Sequence, residues 1–289
     1  MALVVAMRPK QWVKNALVLA APAAAGALAD DEVLRRVCVA TVAFCMLASG
    51  AYLINDARDA AEDRLHPRKR LRPIAAGELA ADEALLASAV LLIGGLVLAA
   101  FVSLGLLAAA GGYVMLTLSY SVLWRHIVVL DIVAIAGGFV LRAVGGGAAA
   151  PVHLSRAFML VVTFAALLVA GGKRYAELTR RADGADEGER RVLRHYSVAW
   201  LRVGLVASGV VVLAAYVVWV ADHTVTPGSG WRAMSLGPFA LGLARYGLLL
   251  ARGAGEAPDE LVFRDRPLMA LATAWVVLFT LGVNDGHGS

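Results

Sequence analysis

Residues 55–79 read NDARDAAEDRLHPRKRLRPIAAGEL and follow directly on an apolar run, residues 33–54. Asp56, Asp59, Glu62 and Asp63 stand close together, and six basic side chains accompany them: Arg58, Arg64, Arg68, Lys69, Arg70 and Arg72. Charges at the end of an apolar helix are costly beside lipid, so this cluster needs partners. If the helix continues past Ile54, a step of about 100° per residue brings Asp56, Asp59 and Asp63 within an arc of roughly 60°. Arg58 and Glu62 then point elsewhere. Three acids gathered at a membrane boundary repel one another and lose hydration unless a cation joins them. Mg2+ suits the arrangement, because it takes hard oxygen ligands and is commonly held by one or two carboxylates together with substrate phosphates. Asp56, Asp59 and Asp63 are therefore the candidate metal ligands and catalytic residues, with a diphosphate as the natural guest. On spacing alone a second reading stays open: a solvated loop whose acids offset its arginines and Lys69.

The rest of the chain says what kind of boundary this is. Over 289 residues, 60% are hydrophobic and only 17% charged, and the mean hydropathy is +0.72, which marks a membrane protein. Apolar runs long enough to cross a hydrocarbon core recur at 12–29, 33–54, 82–101, 104–124, 127–147, 154–172, 198–221, 234–251 and 268–284. The expected fold class is accordingly all-α: a polytopic bundle of nine transmembrane helices forming one domain over residues 1–289. The third and fourth runs are divided only by a polar hint at Ser103, and Arg245 interrupts the eighth. The first run follows Arg8, Lys10 and Lys14 but lacks a convincing small-residue cleavage site, so it is expected to remain as a helix.

Charge sets the orientation. With the amino terminus in the cytoplasm, the segments 55–81, 125–126, 173–197 and 252–267 share its side and carry most of the Lys and Arg, as the positive-inside rule requires. The expected location is the plasma membrane, multi-pass, with a cavity open to the cytoplasm. The net charge of +5 is explained by topology and anionic lipid, and no nucleic-acid partner is expected. Glycines at 111–112, 137–138, 145–147 and 171–172 should let helix backbones approach closely. Cys38 and Cys45, on one apolar helix, read as small buried packing residues. Trp12, Trp124 and Trp275 read as interface belt residues. Asp131 and Arg142 lie nearly three turns apart on one helix, and at membrane depth each needs a partner.

Asn55, Asp56, Asp59 and Asp63 spell N-D-x-x-D-x-x-x-D, and Arg-Pro-Ile with a following glycine comes shortly after. In these residues, and in RPKQWVKN ahead of the first run, the chain resembles the UbiA-type intramembrane prenyltransferase superfamily. The strings RPKQWVKNALVLAAP, VVLDIVAIAGGFVLRAVGGGAA and AGGKRYAEL make it most similar to the actinobacterial decaprenyl-phosphate phosphoribosyltransferases within that superfamily. Ordinary members carry a second aspartate-rich motif after helix six. Lys173, Arg174, Tyr175 and Glu177 stand there instead, a set suited to an anion.

The resemblance implies a Mg2+-dependent transferase acting on phosphoribosyl diphosphate and a polyprenyl phosphate, with diphosphate released and the lipid product used in cell-wall arabinan synthesis. It implies binding roles for Lys14, Asn55, Lys69, Arg72, Tyr120, Arg125, Lys173, Arg174 and Glu177, where Arg125 replaces a family lysine. A homo-oligomer is compatible with it. Two other readings are weighed beside this one. A true prenyltransferase would ionise a prenyl diphosphate at the same aspartates, but the KRYAE string argues against it. A non-enzymatic lipid carrier would use the polar loops only for topology. No serine nucleophile motif, Gly-rich phosphate loop or histidine cluster is present, so catalysis should run through metal and electrostatics.

Overall fold

The computed structural model describes residues 1–124, 127, 129–182, 197–222, 228–254 and 258–285, and among these every regular element is helical. Eight helices are long and apolar enough to cross a membrane. They are α1 (Asp31–Arg58), α2 (Ala81–Val102), α3 (Leu104–Ser119), α4 (Leu130–Ala149), α5 (Arg156–Ala182), α6 (Val198–Ala221), α7 (Ser229–Ala251) and α8 (Arg266–Asn284). Each matches one of the apolar runs from the second to the ninth.

Local chemistry sets the boundaries. Asp30 accepts from the Val33 amide at 3.0 Å, and Asp31 and Glu32 follow in the first turn of α1, where acids favour the positive end of the helix dipole. Ser103 accepts from the Leu106 amide at 3.1 Å and splits the long apolar stretch into α2 and α3. Asp265 caps α8 through the Leu268 amide at 2.8 Å. Arg245 does not break α7. Its Nη2 reaches Asp265 Oδ2 at 2.7 Å, so the run's one interruption is an ion pair at a helix entrance.

The first apolar run departs from expectation. It is no single α-helix: residues Pro9–Leu19 form a 3-10 helix, followed by short segments Ala20–Ala24 and Ala27–Ala29. Hydropathy alone cannot separate the two helix types. The 3-10 form has about 3 residues per turn and a rise of about 2.0 Å, so side chains three apart share one face and lie about 6 Å apart. Four residues of α-helix cover the same 6 Å. Trp12 Nε1 donates to Ser49 Oγ and Asn15 Nδ2 to Cys45 Sγ, each at 3.0 Å, pairing a step of three on one segment with a step of four on α1. Val18, one further step along, is fully buried.

The helices fall into two compact units. The first comprises residues 1–22, 29–124 and 141–152, with α1 packed along α2. Ser88 donates to the Gly50 carbonyl at 2.8 Å, and a Cβ added at Gly50 would press on Leu92. The tightest approach is at Gly146, where a Cβ would overlap the Val18 carbonyl, so the glycine run read in the sequence does serve close packing. Gly111 faces open space, against expectation.

The second unit comprises residues 23–28, 125–140 and 153–289, with α5 packed on α6 and α7 on α8. Tyr216, Trp219, Phe239, Trp275 and Phe279 form an aromatic cluster there. Trp275 Nε1 donates to the Tyr216 hydroxyl at 2.9 Å. Trp12 and Trp275 are each anchored by an internal hydrogen bond. Cys38 is exposed and Cys45 accepts from Asn15, which corrects the reading of both as buried packing.

Candidate active site

In the first unit, α1 runs past Ile54 to Arg58, and after a non-helical Asp59 (φ −88°, ψ 4°) the chain resumes as a short helix, Ala60–Leu65. Asp56 and Asp63 are almost completely buried, and both accept from one guanidinium nitrogen: Arg72 Nη1 lies 3.1 Å from Asp56 Oδ1 and 2.6 Å from Asp63 Oδ2. The sequence after Arg72 explains its placement. Gly77, at φ 80°, supplies a left-handed turn that folds the chain back so that the Glu78 amide bonds the Pro73 carbonyl at 2.9 Å. Ile74 and Leu79 then bury against Leu53, Ala60 and Ala84.

A second arginine also reaches Asp56. Arg8 Nη2 contacts Oδ1 at 2.6 Å and Oδ2 at 2.8 Å, and the guanidinium lies over the Tyr52 ring, 4.8 Å from its centroid. Arg8 adopts φ 56°, ψ 61° immediately before Pro9, whereas a residue before proline ordinarily prefers extended backbone. Such a conformation costs about 1–3 kcal/mol and persists only where its surroundings demand it. In the sequence Arg8 reads as a topological charge. The only signal available was its position inside RPKQWVKN.

Asp59 takes Arg58 at 3.2 Å, so the structure joins Asp56 and Asp63 through Arg72 and gives Asp59 a separate partner. Among the described residues, no three His, Cys, Asp or Glu side chains converge as ligands for one ion. The donor set nevertheless suits a small hard cation. Two carboxylates already converge on a positive nitrogen, and the buried Asn55 Oδ1 has no hydrogen-bond partner. Mg2+ needs no more than one or two carboxylates when substrate phosphates complete its shell.

The other candidates are dispersed. Lys14 donates to Gln11 on the 3-10 segment at 2.5 Å. Lys69 opens the short 3-10 turn Lys69–Leu71, its amide 3.3 Å from His66 Nδ1. Tyr120 begins a π-helical turn, Tyr120–Trp124, a form frequent at functional sites. Arg125 lies outside the described residues. In the second unit, Arg174 is buried and forks onto the fully buried Asp131, with Nη2 to Oδ1 at 2.9 Å; it also reaches Glu177 one turn on. Lys173 beside it is half-buried. Asp131 thus finds its partner on another helix. Arg142 finds its own in the first unit: Nε donates to Asn15 Oδ1 at 2.7 Å and Nη2 to the Tyr113 hydroxyl at 2.9 Å.

The UbiA prenyltransferase family model matches residues 16–265. The chain belongs to that family. Its relatives include the decaprenyl-phosphate phosphoribosyltransferase of Corynebacterium glutamicum, 42% identical with 96% of this chain and 85% of the relative covered. Proteins of the same name from Mycolicibacterium smegmatis and Mycobacterium tuberculosis are 37% and 38% identical, covering 95% and 98% of this chain and 90% and 94% of theirs. Among solved UbiA folds, an Archaeoglobus fulgidus homolog bound to GPP and Mg2+ superposes with a TM-score of 0.68 at 15% identity, with 98% of each chain covered. The same homolog bound to Cd2+ gives 0.71 at 14% identity, covering 98% of this chain and 99% of the other. This chain therefore has the UbiA fold and is a multi-pass membrane transferase.

Proposed function

We propose that this UbiA-family chain transfers a 5-phosphoribosyl group from phosphoribosyl diphosphate to decaprenyl phosphate and releases diphosphate, within cell-wall arabinan precursor synthesis. The observation that carries the reading is the likeness, over 95–98% of the chain, to three relatives named for that activity. The Asp56–Arg72–Asp63 arrangement supports the donor half of it.

In the reaction the ribose C1–O bond to diphosphate breaks, the electron pair leaves with diphosphate, and an oxygen of the lipid phosphate bonds to C1. Asp56 and Asp63, with Asp59 and the orphan Asn55 oxygen near them in sequence, are the groups that would hold Mg2+. When bound, that ion would neutralise charge accumulating on the departing diphosphate. Arg72 and Lys69 are the cations that would receive the phosphates at this end. Lys14, Tyr120 and Arg125 are proposed as further phosphate contacts.

Lys173 is the proposed contact for the lipid phosphate. Arg174, locked on Asp131, would act by fixing Glu177 and the backbone beside Lys173. No general base is required, since a phosphate is already anionic near neutral pH and needs only alignment.

Positive-inside charge supports a cytoplasmic site in the plasma membrane. Nine crossings remain the proposed topology: eleven 3-10 residues at about 2.0 Å each span roughly 22 Å, most of a hydrocarbon core of about 30 Å.

The test is purified protein in detergent with Mg2+, offered labelled phosphoribosyl diphosphate and decaprenyl phosphate, and in parallel geranyl diphosphate with aromatic or glycerol acceptors. Lipid-soluble phosphoribose from the first pair alone is expected. Prenylated product from the second pair, with none from the first, would overturn the assignment.

A further inference from the structure

Two arginines reach the same buried carboxylate by different means. Arg8 reaches both oxygens of Asp56 through one nitrogen, Nη2, stacks over Tyr52 and holds a left-handed backbone. Arg72 touches one oxygen of Asp56 and one of Asp63 through a single nitrogen, with its side chain 30% exposed. Stacking over the Tyr52 ring fixes the Arg8 guanidinium in orientation as well as in position. A bridge through one nitrogen, with no ring among the described residues beneath the guanidinium, fixes position only. A cation midway between two carboxylates and bound through one atom stands where a divalent ion would stand, and partial exposure gives it a route into water.

We propose that Arg72 is an exchangeable occupant of the ion position, bridging Asp56 and Asp63 until a divalent cation displaces it, while Arg8 is a positioning residue that keeps Asp56 oriented throughout the exchange. Asp56 and Asp63 would otherwise repel each other across a poorly hydrated gap. Arg72 removes that repulsion when no ion is present and thereby competes with the ion. Once displaced, its guanidinium is free to meet the diphosphate that arrives with the metal. The proposal rests on the metal-diphosphate reading given above, and extends it to the state that precedes binding.

The experiment measures Mg2+ binding alone, by titration calorimetry on the full chain in detergent, with Mn2+ binding followed by electron paramagnetic resonance as a second measurement. Arg72→Met keeps the length of the side chain and removes the competing charge, so ion affinity should tighten about tenfold, the worth of one charge-assisted hydrogen bond. Arg72→Lys keeps a competitor and should stay within about threefold of the parent. Arg8→Lys keeps the charge near Asp56 but loses the planar group stacked on Tyr52, so affinity should weaken severalfold. Melting in chelator should be lowered in Arg72→Met and restored by Mg2+ by a wider margin than in the parent.

Unchanged or weaker ion binding in Arg72→Met would overturn the exchange. Unchanged binding in Arg8→Lys would overturn the positioning role. Absence of both shifts in the variants, with a parent that transfers phosphoribose, would sink this inference alone. A parent that binds no Mg2+, even with phosphoribosyl diphosphate present, would sink the metal reading as well.

Discussion

Two arginine–carboxylate centres, one in each unit, differ in how completely they are sealed. Around Asp56 the carboxylate is buried while the arginines remain 29% and 30% exposed, so the charge pair is open on its cationic side. At Asp131 both partners are closed off, with Arg174 at 1% and the carboxylate at 0%. An ion pair open to water on one side can exchange its cation for a metal or a ligand. A sealed one cannot, because separating it strands a charge in a low-dielectric interior. Similar residue types thus stand in different settings: the Asp56 centre, open on its cationic side, is the one proposed to bind, and the sealed Asp131 pair ties two helices together.

The sharpest way to break this contrast is Asp56→Asn. Transfer should fall on the order of a thousandfold, comparable to losing a principal electrostatic group at a reacting centre, whereas the melting temperature should move by the equivalent of only about 1 kcal/mol because both arginines keep partial contact with water. Excess chelator should reproduce the loss without unfolding. A radiometric transfer assay beside a thermal melt reads both.

Asp131→Ala should show the reverse pattern. It leaves Arg174 uncompensated and should cost about 3–5 kcal/mol of stability, read by thermal melting in detergent. Combining Arg174→Met with Asp131→Leu should recover much of that stability. If the double variant remains as unstable as the single one, the pair is not the sealed structural element described.

A smaller effect is expected at Lys173→Ala, where KM for the lipid phosphate should rise about tenfold with KM for phosphoribosyl diphosphate unchanged. Equal rises in both would remove Lys173 from the acceptor side.

The smallest effect concerns a third pair. Arg245, and then the Leu268 amide, hold the Asp265 carboxyl below the ordinary carboxylate range. A carboxyl lowered in the folded state contributes stability that is present above its ordinary value and is lost as pH falls through the lowered one. The melting temperatures of the parent and of Asp265→Asn should therefore differ near neutral pH and converge as pH drops through that window.

Much of this was legible in the sequence, and for identifiable reasons. Hydropathy located α1 to α8 because apolar length is a local property, and Ser103 marked the break between α2 and α3 because a cap is local too. Helix type over Pro9–Leu19 was not legible, since an apolar run looks the same in either form. Periodicity put Asp56, Asp59 and Asp63 on one face, whereas the helix breaks at Asp59 and Arg72 joins Asp56 and Asp63 alone; it was silent on Arg8, which lies 48 residues away. Same-face spacing drew attention to Asp131 and Arg142 on one helix, yet each found its partner on another segment. Spacing reports which way a side chain leaves its own helix and says nothing of what waits there.

The Trp12–Ser49 and Asn15–Cys45 contacts have a consequence for how the amino-terminal segment can move. Two rods graduated at the same interval can slip past each other only by whole marks, and here one mark is about 6 Å. Any smaller slide would break both hydrogen bonds together and carry Arg8 off its carboxylate. The segment therefore behaves as a ratchet with one stable tooth, and a single residue inserted between Trp12 and Asn15 would turn every preceding side chain by about 120°.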